Sequence, residues 1–262
     1  MRSGKPAAAF TVLLVVSFAT MNAMPSDTLL AAMLQEAVLA LVALVAVRFA
    51  VPDALKRCTQ SVQQRNTVRF AGITLLLTGL VGGAITILTW YFANSGNGAG
   101  FVSAVLPSAV DLMENLLLLL GICLLTGLYE ESFMRVLGIE AFERALDTKR
   151  AILASAALFA LLHVGAPDVS AGQLVLLQTA LKFGQALLFG VILGALYVRT
   201  RRLWPCAFIH AGFDVLYMTP NVLLTGTMPE TYASGAMGDT VLLAVSVLML
   251  SGIVLKIRKE IA

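Results

Sequence analysis

The chain has 262 residues, 59% of them hydrophobic and 13% charged. Typical soluble domains are ~45–50% apolar and ~25% charged, so this balance predicts an integral membrane protein and argues against a soluble enzyme. A net charge of +3, with its basic residues in short clusters between apolar runs, argues against a nucleic-acid partner.

Eight runs approach the ~20 apolar residues of a spanning helix. The first, 7–24, follows the basic start Met1-Arg2-Ser3-Gly4-Lys5 and so resembles the opening of a signal peptide. It is long and lacks a small-x-small cleavage site, so it is read as an uncleaved anchor. The next two, 28–51 and 70–93, are bounded by Pro25-Ser26-Asp27, by Pro52-Asp53 and by the polar stretch from Asn94 to Gly100. Residues 101–112, with Pro107 and Asp111, are expected to lie in the interface. The fourth run, 113–142, then carries Glu130, Glu131 and Arg135, with Asp111 and Glu114 suited to its N-terminus. The fifth, 150–166, is short enough to be packed inside the bundle. The last three are 173–197, 203–225 and 240–257.

Of the 18 basic residues, all but Arg135 and Lys182 fall at alternate ends of these runs. They group as Arg2 and Lys5, Arg48 to Arg69, Arg144 to Arg150, Arg199 to Arg202, and Lys256 to Lys259. The positive-inside rule then predicts an all-α, polytopic bundle of about eight transmembrane helices with both termini cytoplasmic. Trp90, Tyr91 and Trp204 suit interfacial anchors. Cys58, Cys123 and Cys206 form no CxxC spacing, which gives neither a disulfide framework nor a zinc ribbon.

Polar residues inside these runs carry the functional signal. Each charge near the bilayer centre costs ~2.5–3.5 kcal/mol on insertion scales. Glu130, Glu131, Arg135 and Asp214 therefore demand partners or a function. Glu131 and Arg135 stand i, i+4 with the acid first, the favourable order for a helical ion pair. Glu130, about 100° further round the helix, is left as the reactive carboxylate. Phe159 and His163, and His210 and Asp214, share the same spacing, so Phe159 can pack over one imidazole and Asp214 can orient the other. At ~1.5 Å per residue, Glu130 lies ~21 Å from Arg144, His163 ~20 Å from Arg150, and His210 and Asp214 ~12 and ~18 Å from Arg202. These depths predict one cluster near mid-membrane.

Such a group can activate water and stabilise an oxyanion. Glu130, His163, His210 and Asp214 could instead hold zinc or another divalent metal; spacing does not separate the two, and HExxH is absent. Lys182 and Glu36, also within apolar runs, could pair with each other. The Gly190-x-x-x-Gly194 spacing permits close helix approach.

The ordered set Glu130-Glu131-x-x-x-Arg135, Phe159-x-x-x-His163 and His210-x-x-x-Asp214 resembles the CPBP family of intramembrane proteases, which includes the type II CAAX prenyl endopeptidases and the Abi bacteriocin-immunity proteins. Phe189-Gly190-x-x-x-Gly194-x-x-Tyr197 and Leu203-Trp204-Pro205 extend the likeness. It covers 113–225 as a catalytic core, leaving 1–112 and 226–262 as flanking membrane helices and a basic tail.

The resemblance implies an intramembrane endopeptidase, in a bacterial plasma membrane, that cleaves a membrane-anchored protein or peptide. Glu130 and His163 would activate water, His210 and the residue at 214 would stabilise the oxyanion, and Glu131, Arg135 and Phe159 would support the site. Metal-free chemistry is favoured. The chain departs from the family pattern in having Met134-Arg135-Val136 for Phe-Arg-Gly and Asp214 for Asn. An ionised Asp cannot donate to an oxyanion, so Asp214 must be protonated or must orient His210. A noncatalytic immunity or scaffold protein and a proton-coupled transporter are the competing readings; the inverted repeats common in transporters are absent.

Overall fold

The computed structural model describes residues 4–24, 26–56, scattered positions between 72 and 88, residues 107–164, 170, 172–228 and 233–261. Among these residues the structure is helical throughout and contains no strand. The helices are α1 (Lys5–Ala23), α2 (Leu29–Ala50) and the short α3 (Pro52–Lys56), then α4 (Ala109–Glu131). A π-helical segment, π1 (Ser132–Ile139), runs on from α4 into α5 (Glu140–Phe142). After these come α6 (Thr148–Val164), α7 (Gln173–Thr200), α8 (Leu203–Thr225) and α9 (Met237–Ile261).

Five stretches are long and apolar enough to cross a membrane: Lys5–Ala23, Leu29–Ala50, Ala109–Phe142, Gln173–Thr200 and Met237–Ile257. They coincide with five of the expected runs. The runs at 150–166 and 203–225 are also helical, but α6 has only 17 residues. In α8, His210, Asp214, Pro205 and Pro220 dilute the apolar character. The run at 70–93 lies largely outside the described residues, as do Cys58, Trp90, Tyr91 and residues 101–106. Large apolar side chains such as Phe18, Leu41, Phe49, Leu117 and Leu248 face outward. In water such surface would drive association; against lipid tails it is the natural outer face.

Local sequence explains several boundaries. Thr28 caps α2, accepting from the Ala31 amide at 3.1 Å. Ser108 and Asp111 form a reciprocal capping box at the start of α4, which satisfies free amides at a helix end and accounts for the acid expected there. At the far end of α7, Arg201 adopts a left-handed conformation, φ 48°. Its guanidinium forks onto Glu143 at 2.9 and 3.0 Å and reaches Glu140 at 2.8 Å. Burial opposes the Arg201 charge, but the hydrogen bond and charge of Glu143, with Glu140 beside it, outweigh that and hold its pKa above the ordinary value. The Tyr197 hydroxyl also donates to Glu140, at 3.2 Å.

The bundle is built from long helix pairs: α4 along α8 and α2, α6 along α7, α7 along α9, and α1 against α2 and π1. Glycine sets the approach of α7 to α6 at two points. A Cβ on Gly190 would fall 2.9 Å from that of Ala156, and one on Gly194 2.9 Å from Ile152 Cγ2, so the spaced glycines do seat α7 on α6. The expectation that the 150–166 helix is enclosed does not hold among the described residues. Its Ala151, Ile152, Ala156 and Phe159 face is buried, but Leu153, Leu161 and Leu162 are about half exposed. With one apolar face packed and another outward, α6 is a peripheral helix.

Candidate active site

The site forms where the end of α4 meets the middle of α8. Gly127, one turn before the acid pair, makes the approach possible: a Cβ there would lie 2.6 Å from the Ala207 carbonyl oxygen and 3.3 Å from the Ala211 nitrogen. Both are backbone atoms that cannot swing aside. Bare backbone against backbone brings Glu130 and Glu131 to His210.

Glu131 is used twice. Its Oε2 lies 3.1 Å from Arg135 Nε, with both side chains fully buried. Its Oε1 lies 2.8 Å from His210 Nδ1. A carboxylate oxygen accepts, so Nδ1 donates to it. The other face of the ring, Nε2, looks toward Glu130 Oε2 at 3.5 Å and Asp214 Oδ2 at 3.4 Å. These are charge contacts rather than hydrogen bonds of normal length. Asp214 does reach the ring, as its i, i+4 spacing expects, but at Nε2 and beyond hydrogen-bond length. Glu131 makes the short bond, through Nδ1.

Exposure separates the adjacent acids. Glu131 is 0% exposed and Glu130 is 21% exposed, and Glu130 Oε2 has no hydrogen-bond partner among the described residues. Glu131 thus makes the pair with Arg135 expected from their spacing, and Glu130 is the more exposed of the two acids.

Phe159 is the hub on which the charged groups rest. Its ring centre lies 4.2 Å from that of His163 and 5.9 Å from that of His210. The Arg135 guanidinium stands 4.5 Å above it. The two terminal nitrogens of Arg135 have no hydrogen-bond partner among the described residues, so this face is what receives them. His163 Nδ1 lies 2.9 Å from the Phe159 carbonyl oxygen. A carbonyl only accepts, so Nδ1 donates, and in the neutral ring Nε2 is left as the free acceptor. His163 is exposed at the edge of the cluster while His210 is buried.

Supporting residues that the motifs do not contain complete the frame. Phe189 meets His210 edge-on at 5.1 Å. Ser155 of α6 donates to the Met134 carbonyl at 2.6 Å, tying α6 to π1. Signals for Gly127, a glycine one turn before an acid pair, and for Phe189, in the Phe-Gly-x-x-x-Gly stretch, were present in the sequence; Ser155 carried none. Lys182 donates to Gln185 at 3.0 Å, and Glu36 lies against the Thr126 side chain, in place of the mutual pair considered above. Among the described residues no three His, Cys, Asp or Glu side chains are grouped so as to hold a metal ion. Cys123 and Cys206 are buried free thiols.

Residues 112–216 match the family model described as type II CAAX prenyl endopeptidase Rce1-like. That segment, less than half of the chain, is similar to this endopeptidase domain. It is consistent with a CPBP-family protease and includes Glu130, Glu131, Arg135, Phe159, His163, His210 and Asp214. No curated protein matched the chain. The CAAX endopeptidase-like domain takes in π1, α5, α6 and α7 with most of α4 and α8, and the helices α1, α2 and α9 pack around it.

Proposed function

We propose that the protein is an intramembrane endopeptidase that hydrolyses a peptide bond of a membrane-anchored protein or peptide with water activated by Glu130 and His163. The observation that carries this reading is the division between neighbouring acids: Glu131 is locked by Arg135 and His210, while Glu130 beside it is part exposed and its Oε2 makes no hydrogen bond, only a 3.5 Å contact with His210 Nε2. Glu130 takes the proton of the attacking water, and His163, with Nε2 free to accept, helps to orient that water. The carbonyl oxygen of the scissile bond becomes anionic on the side of His210. To donate to that oxygen His210 carries a proton on Nε2 as well as on Nδ1, with the Asp214 carboxylate 3.4 Å from Nε2. The proton gathered by Glu130 passes to the leaving amine.

We read the chemistry as metal-free, and chelation followed by added zinc tests that reading. We further read the chain as eight spans with both termini cytoplasmic, in a bacterial plasma membrane.

The test is cleavage by the purified full-length protein in liposomes, with a farnesylated CAAX-tail peptide and an unprenylated membrane peptide as probes. Glu130→Gln and His163→Ala should each abolish cleavage while the protein elutes and unfolds as the unaltered chain does. Cleavage that persists in both variants overturns the mechanism, and cleavage lost on chelation and restored by zinc overturns its metal-free form.

A further inference from the structure

Lys182 lies in the middle of α7, a helix long and apolar enough to cross a membrane, where an uncompensated cation is costly. Its ammonium donates to Gln185 Oε1 at 3.0 Å and lies 5.4 Å from the centre of the Tyr217 ring. Gln185 is itself held from another helix, its amide donating to Ser246 of α9 at 2.6 Å. Tyr217 follows Asp214 by three residues on α8, one turn along the same face. Phe213 stacks on Tyr217 at 5.8 Å and on Phe189 at 4.6 Å, and Phe189 meets His210. These contacts bring the ammonium to the α8 wall of the site, at a ring one helical turn from Asp214.

The charges of the cluster leave a place for it. Glu131 has Arg135, but Glu130 and Asp214 both face the single Nε2 of His210. One imidazole cannot balance two carboxylates. We infer that Lys182 is the counter-charge of Asp214 and a positioning residue of the cleavage site, set in place by Gln185 and Ser246. With Asp214 balanced from α7, His210 is left to Glu130 and to the substrate. This inference rests on the peptidase reading of the same site and adds a residue that none of its three motifs contains.

A double-mutant cycle on the full-length protein tests it, using Lys182→Met, Asp214→Asn, both together, and Lys182→Arg, which keeps the charge. Thermal unfolding is followed in detergent, and cleavage of the farnesylated CAAX-tail peptide in liposomes. Alone, Lys182→Met should lower the unfolding midpoint and reduce kcat ~10-fold with KM nearly unchanged, a coupling usual for residues in one charge network. Added to Asp214→Asn it should cost little of either, and Lys182→Arg should retain most of both. If Lys182→Met does not fold alone but folds together with Asp214→Asn, the pairing is likewise supported. Equal losses in both backgrounds, a double variant no more stable than Lys182→Met, or a Lys182→Arg as damaged as Lys182→Met overturns it. A peptide that the unaltered protein leaves uncleaved counts against the peptidase reading, and the unfolding cycle then still decides the pair.

Discussion

His210 uses both of its ring nitrogens, and the two serve different ends. Nδ1 is tied to an acid that is already committed to Arg135, which fixes the ring; Nε2 faces the acids that are not committed. The strength of this arrangement lies in the Glu131–Arg135 pair, because removing one partner of a fully buried ion pair strands the other and typically costs ~3–5 kcal/mol. Arg135→Met and Glu131→Gln should therefore lower the unfolding midpoint in detergent far more than Glu130→Gln, whose Oε2 makes only a 3.5 Å contact with His210. An Arg135→Met variant that unfolds with the unaltered protein would show that the pair does not hold the site together. The pairs within one helix were legible in the sequence, since i, i+4 spacing brings Glu131 to Arg135, His210 to Asp214, and Phe159 to His163. The Glu131–His210 bond was not, because it joins residues 79 apart in the chain and depends on how two helices pack.

That packing is decided by elements that offer backbone rather than side chain. Gly127 admits the Ala207 carbonyl at a distance no Cβ tolerates, and overpacking of this kind costs ~1–3 kcal/mol. Gly127→Ala should accordingly push α8 away from α4, lowering both the unfolding midpoint and cleavage. Gly212→Ala, with nothing within 4 Å of its added carbon, should leave both near their starting values. Equal behaviour of the two variants would remove the close approach as the cause. The long helix through 113–142 was legible from its apolar length, and Arg135 does lie within it. Its π-helical turn, Ser132–Ile139, was not, because no hydrophobic period of five announces it. π turns recur at functional sites, and here the wider turn directly follows the two acids and contains Arg135. The peripheral place of α6 was misjudged from length alone, since a short helix can be seated by a small-residue face on one neighbour while its other face stays outward.

For the whole molecule, apolar composition was enough to give the helical class, and alternation of basic residues gave an orientation that can be measured directly. Val110, 75% exposed at the start of α4, and Lys149, near the start of α6, are expected on opposite sides of the membrane. In a Cys58→Ser background, Val110→Cys should react with a membrane-impermeant maleimide on intact cells. Lys149→Cys should react only after permeabilisation, and the reverse pattern would invert the topology. The native thiols Cys123 and Cys206 are buried and should contribute little label.

Phe10 of α1 lies outside the endopeptidase-like segment, yet its ring centre is 4.7 Å from that of Phe133 and 5.8 Å from that of Phe142. Even a methyl group on Gly138 would crowd that ring, at 3.2 Å. The amino-terminal helix is thus a wedge driven against the very turn that carries Arg135. A version of the protein trimmed to the borders of its recognisable segment would uncover this aromatic seat, so the first helix is part of what keeps the Arg135 turn in place.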